Sequence, residues 1–428
     1  MADLNRLSAS ELAVRLQKRE LRAIDVTDAC LEWIAAREPA IHAWVSIDPE
    51  YAREQARVID AGSIIGPLHG VPVGVKDIID TADFPTEYGS LIYRGHRPTA
   101  DAACVASARA AGAVVLGKTV STEFAMYSPA ATVNPHNFAH TPGGSSSGSA
   151  AAVADDMVPL AFATQTAGSI IRPASFCGVV GFKPSYDTIG RVGVKLLAES
   201  LDTVGAIARS VADAALFIGA LTARHALISL PRVDSRLRIG VCRTPDWSEV
   251  RPEVRAAMEE AARLLSAAGA EVRNAELPHE FAALGEAHAD IFGYEAARNL
   301  AHERRVYPGR LTARLAAELE AGSRVTAARY DAAQQLAHAC RLRVPDVIGD
   351  CHVLLTPSTT GEAPEGLAST GSPVMNRVWT LLHVPCVNAP FARGARELPL
   401  GLQVVGRFGD DARTLAAAAW IQERLVHA

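Results

Sequence analysis

The chain has 428 residues, 49% hydrophobic and 21% charged, which is apolar material enough for a large core. Its 42 basic and 47 acidic residues leave a formal charge of −5 with no basic block, arguing against nucleic acid or an anionic membrane as the main partner. Seven cysteines lie scattered without a C-x-x-C pair, which speaks for a reducing compartment and against a disulfide frame or zinc cluster. Met1-Ala2-Asp3-Leu4-Asn5-Arg6 carries no apolar run, and no segment is long enough to span a bilayer; a cytoplasmic protein without a signal peptide is expected.

Residues 7–60 read as a helical N-terminal layer. Ser8-Ala9-Ser10-Glu11 opens it with a capping pattern, and apolar residues recur at near-helical spacing. From Leu68 the texture becomes β-branched and glycine-punctuated: Gly70-Val71-Pro72-Val73-Gly74-Val75-Lys76-Asp77 reads as a buried strand. Lys76 is its anomaly, because a lysine in an apolar strand is ion-paired (with Asp77 or Asp80) or put to use. A helix near Ala102–Ala111 and a strand at Ala113–Lys118 follow, and strand–helix–strand alternation indicates an α/β fold.

Pro142-Gly143-Gly144-Ser145-Ser146-Ser147-Gly148-Ser149 then runs into Ala150-Ala151-Ala152, a loop handing over to a helix. Met157–Thr164 reads as a further strand ending at the small-residue turn Gln165-Thr166-Ala167-Gly168-Ser169, the strand end where α/β sheets place ligands. Residues 224–236 resemble a linker; strand–helix–strand resumes at Arg238–Cys242. A long helical stretch is expected over 276–343, with late strands at Val353–Pro357 and Gly401–Gly406 and a final helix from Asp411.

Gly144-Ser145-Ser146-Ser147-Gly148 satisfies the G-x-S-x-G nucleophile pattern with Ser146 at its centre, but the preceding Asn137–Gly143 cannot form the strand that motif requires. No G-K-[ST] follows, which excludes a P-loop, and His136 and His140 lie in a turn, unsuited to a metal site. Lys76, the serine loop and Ser169 remain. A serine hydroxyl needs a base, and a lysine can supply one if burial lowers its pKa.

These residues resemble the amidase signature family and its Ser–cis-Ser–Lys triad. The likeness is carried by Gly70–Asp77, Pro142–Ala154 and Thr164–Pro184, with Lys76 to Ser145 spanning 69 residues and Ser145 to Ser169 spanning 24. The resemblance implies one α/β/α domain over 1–428 on a mixed, mostly parallel twisted sheet. Within it lie the helical layer 1–60, a signature core over 68–215, and a C-terminal α/β portion over 237–428 that lines the pocket. It implies Ser169 as nucleophile, Ser145 on a cis peptide as the bridge and Lys76 as base. The N–H groups of Thr166, Ala167, Gly168 and Ser169 would be the oxyanion hole, with no cofactor or metal.

The family's T-D-T-G-G-S-I-R here reads Thr164-Gln165-Thr166-Ala167-Gly168-Ser169-Ile170-Ile171-Arg172. The later arginine, with Ile92-Tyr93-Arg94-Gly95 and Leu367–Gly371, is most similar to malonamidase-type members. That implies Arg172 as a carboxylate clamp and a small acid amide such as malonamate as substrate; a structural ion pair is the competing role for Arg172. Ala167 would restrict a backbone position that glycine frees. Aryl amide, carbamate or ester hydrolysis, an amidotransferase A-subunit role and an inactive binding relative stay open as alternatives. A homodimer is the family's suggestion.

Overall fold

The computed structural model describes residues 3–126, 128–233 and 236–426; Met1, Ala2 and part of the 224–236 linker fall outside them. Eleven strands form one sheet: β1 (Trp44–Ile47), β2 (Pro72–Lys76), β3 (Val114–Thr119), β4 (Leu160–Gln165), β5 (Val180–Lys183), β6 (Thr203–Ala208), β7 (Arg238–Cys242), β8 (Glu271–Ala275), β9 (Val353–Pro357), β10 (Cys386–Arg393) and β11 (Pro399–Val405). Their order is β1-β3-β2-β4-β6-β5-β10-β11-β9-β7-β8, so one sheet runs through both the 68–215 and the 237–428 portions.

The fold is α/β with a mixed sheet, as read from the sequence, but it is not mostly parallel. Parallel pairing is confined to β3-β2-β4 and β9-β7-β8. The strands between them, β6, β5, β10 and β11, pair antiparallel throughout, and β1 is an antiparallel edge. β10 and β11 form a hairpin closed by Gly394–Glu397, and β6 inserts between β4 and β5, pairing antiparallel with both, so that β4 and β5, joined through the helix Ile171–Phe176, run in the same direction. β2, β3 and β4 are buried along their whole length, which is why they read as continuous apolar runs.

The N-terminal layer contains helices Ala9–Gln17, Ala23–Ile41 and Pro49–Ala61. Ser8 caps the first by accepting from Glu11 N, and Asp48 caps the third, with Pro49 at its first turn. β1 interrupts this layer where helix alone was expected. The expected 276–343 helix is broken into Leu284–Asn299, Ala301–Val306, Ala313–Ser323 and Ala327–Ile348. These pack on one another and on helix Val374–Leu381, forming a helical cap over the C-terminal half. Helices Val211–Thr222 and Asp411–Val426 pack together on the sheet. The linker holds a short helix, His225–Ile228. All seven cysteines are buried and unpaired, and no helix of the described residues is long and apolar enough to cross a membrane.

Candidate active site

β2 and β4 are parallel neighbours, so their carboxyl ends open on the same sheet edge. Lys76 ends β2, and Thr164 and Gln165 end β4. The serine loop reaches that edge because helix Ser147–Ala154 packs under β2, β3 and β4. Its glycine is obligatory there: a Cβ on Gly148 would lie 2.1 Å from Ala43 O and 2.3 Å from Val120 N.

Lys76 is fully buried, and its Nζ donates to Ser145 Oγ at 2.8 Å and to Thr164 Oγ1 at 2.7 Å. Burial lowers its pKa to about 7; buried Asp202 opposes that shift and Arg172 adds to it. Neither Asp77 nor Asp80 pairs with it. Asp77 lies 3.4 Å from the second buried lysine, Lys118, while Asp80 accepts from Tyr88. Lys118 also donates to Ile79 O and Thr86 Oγ1, bracing the loop that follows β2.

The Gly144–Ser145 peptide is cis. Ser145 O accepts from Thr122 N, Ser147 Oγ donates to Gly143 O at 2.8 Å, and Ser146 Oγ bonds both Thr164 N and Thr164 O. Ser146 is thus bound into the end of β4. Ser169, 7% exposed, follows β4 by four residues. Its turn touches the serine loop at two points. A Cβ on Gly143 would lie 2.9 Å from Pro173 Cα, and Arg172 Nη2 donates to Gly144 O at 2.7 Å.

The turn is tied from outside. Gln165 Oε1 accepts from Ile170 N and Ile171 N, while its Nε2 donates to Thr380 Oγ1. Gln165 thereby braces the turn as an acceptor, the part the family's aspartate can also play. Thr166 Oγ1 donates to Asp202, whose pKa burial raises to about 6. Among the described residues no protein acceptor takes the N–H groups of Ala167, Gly168 or Ser169. Ala167 has an ordinary negative φ, so alanine costs nothing there. Gly168 is needed for closeness, since a Cβ would lie 2.5 Å from Asn376 Oδ1.

Arg172 is 4% exposed. Besides Gly144 O, its guanidinium donates to Gly371 O at 2.9 Å and Thr370 Oγ1 at 3.2 Å. It joins the serine loop to the 369–371 segment through backbone carbonyls. His136 donates to Cys177 O, and among the described residues no cluster of three metal-binding side chains occurs.

A cavity of about 210 Å³ adjoins the turn. Met126, Ala167, Phe292 and Pro373 line it, with His288 and Arg377 among its polar walls. Thr164, Asp202, His288 and Thr380 escaped sequence reading. Only Thr164 had a partial signal there, as the residue ending a strand; that this strand lies beside that of Lys76 is shown by the structure.

A buried lysine of lowered pKa bonded to a loop serine, beside a turn whose N–H groups meet no protein acceptor among the described residues, is an arrangement that can support acyl transfer to a serine. The chain belongs to the amidase family, whose model, described as Amidase, matches residues 25–415. Similar curated proteins include the A subunit of the glutamyl-tRNA(Gln) amidotransferase of Acidothermus cellulolyticus, 41% identical over 65% of this chain and 60% of that protein. Its counterpart from Roseiflexus castenholzii is 35% identical over 96% of this chain and 94% of that one. Among solved structures, an amidase superposes with a TM-score of 0.89 at 30% identity, covering 98% of this chain and all of the other. The peptide amidase of Stenotrophomonas maltophilia gives 0.82 at 29%, covering 98% and 97%. The protein is an amide-hydrolysing enzyme of this family.

Proposed function

We propose that the chain cleaves a small amide through an acyl-enzyme on Ser169. The observation that carries this is Lys76, buried, hydrogen-bonded to Ser145 and poised to lose its proton near pH 7. The neutral amine accepts the Ser145 proton as Ser145 takes that of Ser169, whose Oγ attacks the amide carbon. The N–H groups of Thr166, Ala167, Gly168 and Ser169 stabilise the developing oxyanion, a contribution of about 3–4 kcal/mol per well-placed donor. The proton returns through Lys76 and Ser145 to the departing nitrogen, and water then releases the acid. The reaction needs no cofactor.

For the substrate, full-length likeness to amidotransferase A subunits supports ammonia release from a donor amide such as glutamine for a partner's use. This takes precedence over malonamate, because Arg172 Nη1 and Nη2 already donate to the backbone carbonyls of Gly371 and Gly144. Aryl amides and carbamates are the further candidates. A homodimer and a cytoplasmic location complete the reading, the latter supported by seven buried free thiols.

The test is ammonia or amine release from glutamine, malonamate, propionamide and a phenyl carbamate, with Ser169→Ala as blank. Preference for glutamine supports the amidotransferase-like reading, and preference for malonamate returns the carboxylate to Arg172. Release surviving in the blank removes Ser169 as nucleophile. A panel without any turnover favours a binding relative.

A further inference from the structure

In each trans peptide the C=O and N–H point in opposite directions, so fixing a carbonyl fixes the N–H of the next residue. The carbonyls of the Ser169 turn are each held. Gly168 O accepts from Arg172 N at 2.9 Å, and Ala167 O accepts from Thr380 Oγ1 at 2.8 Å. Thr166 O is met by His288 Nε2 at 3.0 Å. The first of these bonds lies within the turn and its following helix, and the second comes from helix Val374–Leu381. His288 instead belongs to Leu284–Asn299 in the helical cap, 122 residues away in sequence.

His288 is 5% exposed and stacks on Phe292, with ring centroids 6.0 Å apart and planes at 15°. Its partner is a carbonyl oxygen, so Nε2 must carry a hydrogen. Burial agrees, pushing the pKa down to about 4 and keeping the ring neutral at ordinary pH. Thr166 is thereby gripped twice, by its hydroxyl on Asp202 and by its carbonyl on His288. Free rotation of the Thr166–Ala167 peptide would turn the Ala167 N–H away from the reacting carbonyl.

We propose that His288 is a positioning residue for the oxyanion turn: by holding Thr166 O it aims the Ala167 N–H at the acyl oxygen, without touching the reacting atoms. The proposal rests on Ser169 being the acyl acceptor. It predicts that loss of the imidazole donor slows acylation while substrate affinity and the Lys76 titration stay in place.

The experiment measures the p-nitrophenol burst from p-nitrophenyl acetate, in which Ser169 Oγ bonds the acetyl carbon and p-nitrophenolate leaves. Wild type, Ser169→Ala, His288→Leu, His288→Met and His288→Gln are compared as full chains, with folded fraction measured by circular dichroism. Acylation per folded molecule should fall about 10–100-fold in the Leu and Met variants, while the substrate dissociation constant, read from the dependence of the burst rate on substrate concentration, stays within about twofold. Gln, whose carboxamide N–H can replace the imidazole donor, should recover most of it. The apparent base near pH 7 should be unmoved in all three.

Wild-type acylation in either donor-less variant, or no recovery with Gln, overturns the proposal. So does a defect that lies only in folded fraction. Met fills the pocket without branching, so a comparison survives if Leu disrupts packing. A burst persisting in Ser169→Ala instead overturns the nucleophile on which the proposal stands.

Discussion

At Lys76 two influences oppose one another. Burial strips the ammonium of its hydration and favours the neutral amine, while buried Asp202 pulls towards the charged form. The amine is useful only without its proton, so kcat/KM should climb with pH and level off above about 7. Asp202→Asn removes the influence that raises the pKa. The rising limb should therefore move to lower pH, even though the height of the profile also falls through Thr166. A pH–rate profile whose limb stays in place would show that Lys76 does not feel the carboxylate. Lys76→Ala should lose roughly a thousandfold in kcat. Lys76 and Ser145, which the fold brings to 2.8 Å, each stand in a local sequence pattern, as does Ser169 on its turn. Thr164, 88 residues from Lys76, and Asp202, 36 residues from Thr166, were not legible as partners, since strand order alone makes them neighbours.

Among the elements, the turn after β4 and the serine loop act as one unit, and Arg172 is its rivet. Because its donors go to Gly144 O, Gly371 O and Thr370, Arg172→Ala should lower kcat roughly tenfold or more on neutral and carboxylate-bearing amides alike. A rise in KM confined to acid amides would restore the clamp expected from sequence. Gly168→Ala tests the turn directly. The added methyl meets Asn376, whose Nδ2 is held by Ser358 O at 2.9 Å and which is fully buried, so the backbone must yield. The expected cost is about 1–3 kcal/mol in stability and about a hundredfold in kcat, read by thermal melts and steady-state rates. Ala167→Gly should do little, since no left-handed backbone is required there.

For the whole molecule, local texture revealed an α/β chain but not its strand order. Buried runs such as β2 and β3 announce themselves. A four-residue strand such as β5, or an edge such as β1 between helices, carries too short a pattern. The antiparallel centre follows from β10 lying between β5 and β11, a long-range choice that no local period encodes. The helical cap was visible as helix, but what fastens it was not. Glu303, its carboxyl fully buried, lies 2.5 Å from Lys195 and accepts from Tyr93 at 2.6 Å, both on the sheet side of the molecule.

Burial alone would raise the pKa of Glu303; the Lys195 and Tyr93 hydrogen bonds outweigh it and leave the pKa below its usual 4.5. A depressed carboxylate stabilises the fold above its unfolded pKa, and that contribution fades as pH drops through the folded one. Glu303→Gln should therefore destabilise the protein by about 1–3 kcal/mol at pH 7. The gap from wild type should narrow below about pH 4.5, where wild type loses the same charge. Denaturant melts at the two pH values measure it. Hydrogen exchange should show the loosening concentrated in 300–326, because these residues join the cap to the sheet through Glu303. A gap that is equal at both pH values would mean that the Glu303 charge does not fasten the cap, leaving its packed apolar face to hold it in place.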